Sequence, residues 1–134
     1  MSYARQMLDT YPRTLTADDN LLAAAIDAIS GCTQACQADT DADLAEQNLA
    51  EMVRCIRLCL NCADICAATA AVTSRAAAAE VGVIEPLLAA CAAICKSCGD
   101  ECARHAQMHP HCAVCEGACR RAEQSCKDLL DAIV

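Results

Sequence analysis

Phenylalanine and tryptophan are absent from this chain of 134 residues, and its two tyrosines, Tyr3 and Tyr11, both lie near the N-terminus. A core without bulky aromatic rings has to be filled by Leu, Ile, Val and Ala, with alanine dominant. Glycine and proline are also scarce, at four and three residues, which favours helix. No window shows the alternation of β-branched residues expected of a strand. No stretch approaches eighteen apolar residues free of charge, so no membrane span is predicted. Basic residues number only ten and are spread along the chain, and the formal charge is −8. That balance argues against a nucleic-acid partner and is compatible with recruiting cations. A chain of this length makes one domain, 1–134, read as an N-terminal segment 1–15 followed by a helical body 16–134.

Cysteine is what the chain has in excess. Fourteen are present. Cys32 and Cys36 lead, followed by Cys55, Cys59, Cys62 and Cys66, then Cys91, Cys95, Cys98 and Cys102, then Cys112, Cys115, Cys119 and Cys126. Residues three, four and seven apart share one face of a helix, so each group forms a stripe of thiols. Such density in a secreted chain would signal disulfides. Disulfide scaffolds are loop-rich, however, whereas these residues sit in helical sequence. The first twelve residues show neither an apolar export core nor a twin arginine. The expectation is therefore a reducing cytoplasm, where dense cysteine points to metal.

Residues 2 to about 11 are predicted to form a short helix that stops before Pro12. Thr16, with Asp19 three residues on, is predicted to cap the first bundle helix. That helix carries Leu22, Ala25, Ile29, Cys32 and Cys36 on one face and ends in the polar run Asp39-Thr40-Asp41. A long second helix is expected from about Ala42 to Ala79, with Gly82 just past its end. Pro86 suits the first turn of a third helix reaching about Met108. After Pro110 a fourth runs from about His111 to Ile133. Short connections make neighbours antiparallel, giving an all-α, up-down-up-down four-helix bundle. The same topology gathers Cys32, Cys36, Met52, His105, Met108, His109, His111 and Cys112 near one end. Leu21, Leu22, Leu87, Leu88, Leu129 and Leu130 close the other.

A single buried cysteine packs as a small hydrophobe. Fourteen in register leave a core short of volume, which close packing penalises. Something else must occupy the space. Thiolates favour Cu(I), zinc and iron–sulfur clusters. Cluster ligands usually wrap their iron from a loop, whereas a continuous helix sets its sulfurs in a row. Zinc wants four tetrahedral ligands, and each four-thiolate site carries about −2, so a stack of them in a narrow apolar bundle is costly. Cu(I) accepts two or three thiolates, and bridging allows roughly one ion per thiolate. The filled column is then near neutral. Charge and spacing favour Cu(I), and a zinc-thiolate structural or interaction module is the alternative. Catalytic Cys-x-x-Cys sits at a helix start beside a strand, which argues against a redox enzyme. Glu-x-x-His pairs of oxygen-activating bundles are missing.

His105 and His109 continue the stripe of the third helix, Met52 begins that of the second, and His111 precedes Cys112. Imidazole and thioether hold Cu(I) less tightly than thiolate, so these residues are predicted to form an admitting mouth above the fourteen thiols. Met108 lies off the stripe, and Met1 and Met7 are assigned no role.

The sequence resembles the copper storage proteins that lack an export signal. The Cys-x3-Cys-x2-Cys-x3-Cys runs at 55–66 and 91–102, and His105, His109 and His111 ahead of Cys112, carry the likeness over roughly residues 18 to 131. The resemblance implies a four-helix bundle that binds many Cu(I) ions through interior thiolates, commonly as a homotetramer. It also implies copper buffering in the cytosol without catalytic turnover. The expected partners are copper ions and a copper chaperone or small-thiol donor, with no nucleic acid and no membrane. Two features depart from the pattern: the first bundle helix supplies only Cys32 and Cys36, and Ala122 stands where another cysteine would complete the last stripe.

Overall fold

A computed structural model describes residues 2–13, 18–75 and 80–133. A short helix α1 (Tyr3–Asp9) precedes four long ones: α2 (Asp19–Leu44), α3 (Val53–Thr73), α4 (Val81–His105) and α5 (Pro110–Ile133). A 3-10 turn, Leu49–Met52, leads into α3. The long helices pack around a square in chain order, and α5 closes against α2. The Ser2 hydroxyl caps α1 by accepting from the Arg5 amide at 3.1 Å. Arg5 then ties α1 to the bundle through Asp19 at 2.9 Å and Asn20 at 3.0 Å.

Several boundaries differ from the sequence expectation. Thr16 lies outside the described residues, and Asp18 is the cap of α2. Its carboxylate accepts from the amides of Asn20 at 2.9 Å and Leu21 at 3.2 Å. The predicted stop at Asp39-Thr40-Asp41 is not a stop. Thr40 turns its hydroxyl back to the Cys36 carbonyl at 2.9 Å, and Asp39 and Asp43 point into the bundle, so α2 runs on to Leu44. The second bundle helix therefore begins at the 3-10 turn rather than at Ala42, and it ends at Thr73 with Ser74 as its cap, short of the predicted Ala79, which lies outside the described residues. Gly82 is not a helix terminator either. It sits in the first turn of α4, and no described residue adopts a positive φ. Pro86 falls in the second turn of α4 rather than the first. That helix ends at His105, three residues short of Met108, because the chain folds into the tight turn that delivers Pro110 to the start of α5. Proline is favoured there, since the first helical amides have no partner to lose.

Leu22, Ile84, Leu88 and Leu129 are buried at one end of the bundle, with Leu21 and Leu130 packed against them. Thr69 and Thr73 complete the same end by bonding their hydroxyls to the Ile65 and Thr69 carbonyls. Gly99 lets α4 sit tightly against α5, since a Cβ there would stand 2.8 Å from Arg120 Nη1 and 3.3 Å from Cys119 Cβ. Arg120 lies across it and pairs with Asp100 at 2.8 Å. Leu49–Thr73 and Val81–His105 are long and apolar enough to cross a membrane by composition. The cysteines that contribute to that apolarity all face the bundle interior.

The leucine end carries the conventional part of the core. Leu88→Ala should lower the unfolding free energy by about 2–5 kcal/mol, read from denaturant melts. Val114→Ala, at 70% exposure on the outer face of α5, should change it by no more than about 0.5 kcal/mol.

Candidate metal centre

The four stripes meet on the bundle axis. All fourteen cysteines are free, and none is more than 1% exposed. Thirteen of the sulfurs form a continuous ladder, and Cys112 stands above it against Asp43 and His111. Cys55 lies 3.9 Å from Cys102, and Cys59 is 3.6 Å from Cys98 and 4.0 Å from Cys115. Cys36 reaches Cys115 at 3.7 Å and Cys119 at 3.9 Å. Cys32 then reaches Cys119 and Cys62, each at 3.8 Å. Cys66 is 3.6 Å from Cys95 and 3.7 Å from Cys91, and Cys126 adjoins Cys91. Cys32 thus belongs to the middle of the column, deeper than the mouth position expected for it.

Overlapping sets of four sulfurs, such as Cys32, Cys36, Cys62 and Cys119, or Cys59, Cys98, Cys102 and Cys115, have every donor within 4.8 Å of the others. Three donors around an ion at about 2.3 Å stand roughly 4.0 Å apart, and four stand roughly 3.8 Å apart. The observed spacing suits either arrangement. Adjacent sets share members, so neighbouring ions would share bridging sulfurs.

The end opposite the leucines is acidic and imidazole-lined. Asp39 Oδ2 accepts from the thiols of Cys59 at 3.5 Å and of Cys55 and Cys102 at 3.8 Å each. Its other oxygen meets His111 Nδ1 at 2.5 Å. His111 Nε2 and His109 Nδ1 both reach Glu46 Oε2 at 2.7 Å, and the two rings stack with centroids 5.5 Å apart. Cys112 donates to Asp43 Oδ1 at 3.6 Å, while Asp43 Oδ2 and His109 Nε2 are buried without a hydrogen-bond partner among the described residues. Met52 is fully buried at the start of α3. Met108 is 75% exposed. His105 turns to Glu101 at 2.8 Å, a buried carboxylate that also holds Arg54 at 3.3 Å and Arg104 at 3.1 Å. The structure therefore groups His111 with Asp39 of α2, joins both rings to Glu46 just beyond the end of α2, and places His105 in a separate tie between α3 and α4.

Asp39 and Asp43 are the residues that sequence reasoning missed. Cys32, Cys36, Asp39 and Asp43 follow the same four-three-four spacing as Cys55 to Cys66 and Cys91 to Cys102. The first stripe is as long as the others but ends in two carboxylates. Burial pushes the Asp43 carboxyl up to about 8, with the Cys55 sulfur and Asp39 adding to the effect. Burial likewise raises Asp39, although the His111 hydrogen bond opposes it. His111 is raised despite burial, because both ring nitrogens face carboxylate oxygens and the protonated ring satisfies both. Cys112 is pushed up by burial and then by Asp39 and Asp43. Glu46 moves the other way, held down by its His111 bond.

A profile described as copper storage protein matches residues 18–131. Among curated proteins none matches. A Streptomyces lividans copper storage protein, Ccsp, solved with 10 copper equivalents, is 47% identical over 96% of this chain and 98% of its own, with a TM-score of 0.93. A cytosolic copper storage protein from Streptomyces lividans with five coppers is 49% identical over 84% of this chain and 93% of its own, with a TM-score of 0.81. Cu(I)-bound BsCsp3 is 33% identical over 80% of this chain and 95% of its own, with a TM-score of 0.71.

The raised groups give the metal-free fold a defined pH dependence. Asp39, Asp43 and His111 all have folded values above their usual ones. Their contribution is complete below the unfolded values and is lost as pH rises through the folded ones. Glu46 is lowered, so its contribution is complete above the usual carboxylate range and is lost only as pH falls below it. Reduced apo protein should therefore lose stability between about pH 5 and pH 8, measured as a falling Tm. Asp43→Asn should flatten that slope and recover about 1–3 kcal/mol at the upper end.

Proposed function

The chain belongs to the copper storage protein family, and we propose that it stores and buffers many Cu(I) ions in the cytosol as thiolates along the bundle axis. The observation that carries this reading is the unbroken sulfur ladder, with neighbouring thiols 3.6–4.0 Å apart through the core. A monovalent soft cation suits it because about one ion per thiolate leaves the interior near neutral.

In this reading copper arrives at the end lined by Met52, His109 and His111, where donors weaker than thiolate can release it inward. All fourteen cysteines serve as ligands, from Cys112 and Cys55 at the top to Cys91 and Cys126 above the leucine floor. Each ion displaces thiol protons, since only the deprotonated sulfur binds. Asp39 touches three thiols on one side and His111 on the other, and His111 continues to the half-buried Glu46. That chain of hydrogen bonds offers the displaced protons a way out. Inward movement is exchange between sulfurs that already touch, and no step needs turnover of a substrate. His105, tied to Glu101, supports the α3–α4 edge of the mouth. A homotetramer is the proposed working assembly, supported by apolar side chains left exposed on α3 and α4, including Leu60, Val53, Val81 and Val83.

Anaerobic titration of reduced protein with Cu(I) against a competing chelator tests the proposal. Saturation is expected at about ten or more ions per chain, with proton release and a raised Tm on loading. Saturation at one or two ions, or equal melting of apo and loaded protein, would overturn it. Ala122 is fully buried on the α5 stripe, so Ala122→Cys should add about one ion to the capacity.

A further inference from the structure

One layer of the column is not all sulfur. Asp39 from α2, Cys55 and Cys59 from α3 and Cys102 from α4 bring one oxygen and three sulfurs together, every donor within 4.8 Å of the others. All four side chains are buried. We infer that this layer is a tetrahedral site for a single borderline divalent cation of the zinc class, distinct from the thiol-only layers beneath it. The inference goes beyond copper storage: in the copper-free protein Cys55, Cys59 and Cys102 hold the divalent ion, and on loading they yield it to Cu(I), which thiolates prefer.

Three observations support it. The first is shape. Around a cation with metal–sulfur bonds of about 2.3 Å and metal–oxygen bonds of about 2.0–2.2 Å, a tetrahedron has oxygen–sulfur edges of roughly 3.6 Å and sulfur–sulfur edges of roughly 3.8 Å. The Asp39 Oδ2 edges are 3.5, 3.8 and 3.8 Å, and Cys55 to Cys102 is 3.9 Å.

The second is donor chemistry. A carboxylate oxygen is a poor ligand for a soft monovalent ion and a common one for zinc. At this position the first stripe exchanges sulfur for oxygen while keeping the spacing of its partners. The third is orientation. Asp39 Oδ1 is held by His111 Nδ1 at 2.5 Å, which turns Oδ2 toward the three thiols. Ligating carboxylates are normally anchored by such an outer hydrogen bond. Three thiolates and a carboxylate around a divalent ion carry about −2. A single layer below the open end bears that charge more cheaply than a stack would. The ion would bind α2, α3 and α4 together just beneath the mouth.

Co2+ is the probe, added anaerobically to the full-length, reduced, copper-free protein. The expected result is one ion per chain, with a sulfur-to-cobalt charge-transfer band and the visible ligand-field bands of a tetrahedral site, displaced by Zn2+. His111→Ala should weaken Co2+ binding by about 10–100-fold, and Asp39→Asn should weaken it further. Asp39→Cys should retain the ion and shift the ligand-field bands to lower energy. Cys126→Ser, at the far end of the column, should leave the cobalt spectrum unchanged, and circular dichroism identifies any variant that fails to fold. An absent band, a band indifferent to Asp39→Asn, or a band lost in Cys126→Ser would overturn the inference. Cu(I) titration of the same preparations reads the storage proposal separately. Full Cu(I) loading without a cobalt band defeats only the divalent site, and failure of both defeats both.

Discussion

Contact between sulfurs on the bundle axis is the constraint to which the rest of the molecule answers. A cysteine at a core position fills far less space than the leucine that would normally stand there, so four stripes of cysteine bring the helices together around a narrow, polarisable interior. That interior offers little packing free energy of its own. The fold is held instead by the leucine end, by the α4–α5 approach at Gly99, and by edge ties such as Arg54 and Arg104 on Glu101. Stability is concentrated at the floor and the rim, and the middle is given over to ligands.

Much of this was legible in the sequence because the cysteine spacing reports helical phase directly. The steps from Cys55 to Cys66 and from Cys91 to Cys102 identify helix, facing direction and length at once. The leucine floor and the histidine end follow from antiparallel connections alone. What escaped was the upper part of α2. Asp39, Thr40 and Asp41 look like a helix stop because aspartate and threonine usually compete with helical hydrogen bonding. Here Thr40 spends its hydroxyl on the Cys36 carbonyl, and Asp39 continues the stripe inward. Reading the run as polar hid its register. His105 was placed at the correct end, but its partner was not legible: its phase matches the thiols, whereas the ring bonds to Glu101 one turn earlier.

The two ends of the column obey opposite electrostatic rules. Deep layers see little but sulfur, so a cation there must be balanced by thiolate alone. The upper layers add Asp39, Asp43 and Glu46, with His109 and His111 between them. Acid groups that close together cannot all ionise cheaply without a cation. The mouth is therefore strained in charge when empty, and that strain is relieved by binding. Attraction at the surface and neutrality within arise from two carboxylates that replace sulfur on α2 and from the Glu46, His109 and His111 side chains gathered above them.

The missing aromatic rings have an optical consequence. Tyr3 and Tyr11 lie on the exposed N-terminal segment, so the bundle interior holds no chromophore that is ordered by packing. Near-ultraviolet circular dichroism from the core therefore starts close to zero. Any dichroic signal that grows there on loading belongs to the metal–thiolate array itself, making handedness of that array directly measurable without subtraction.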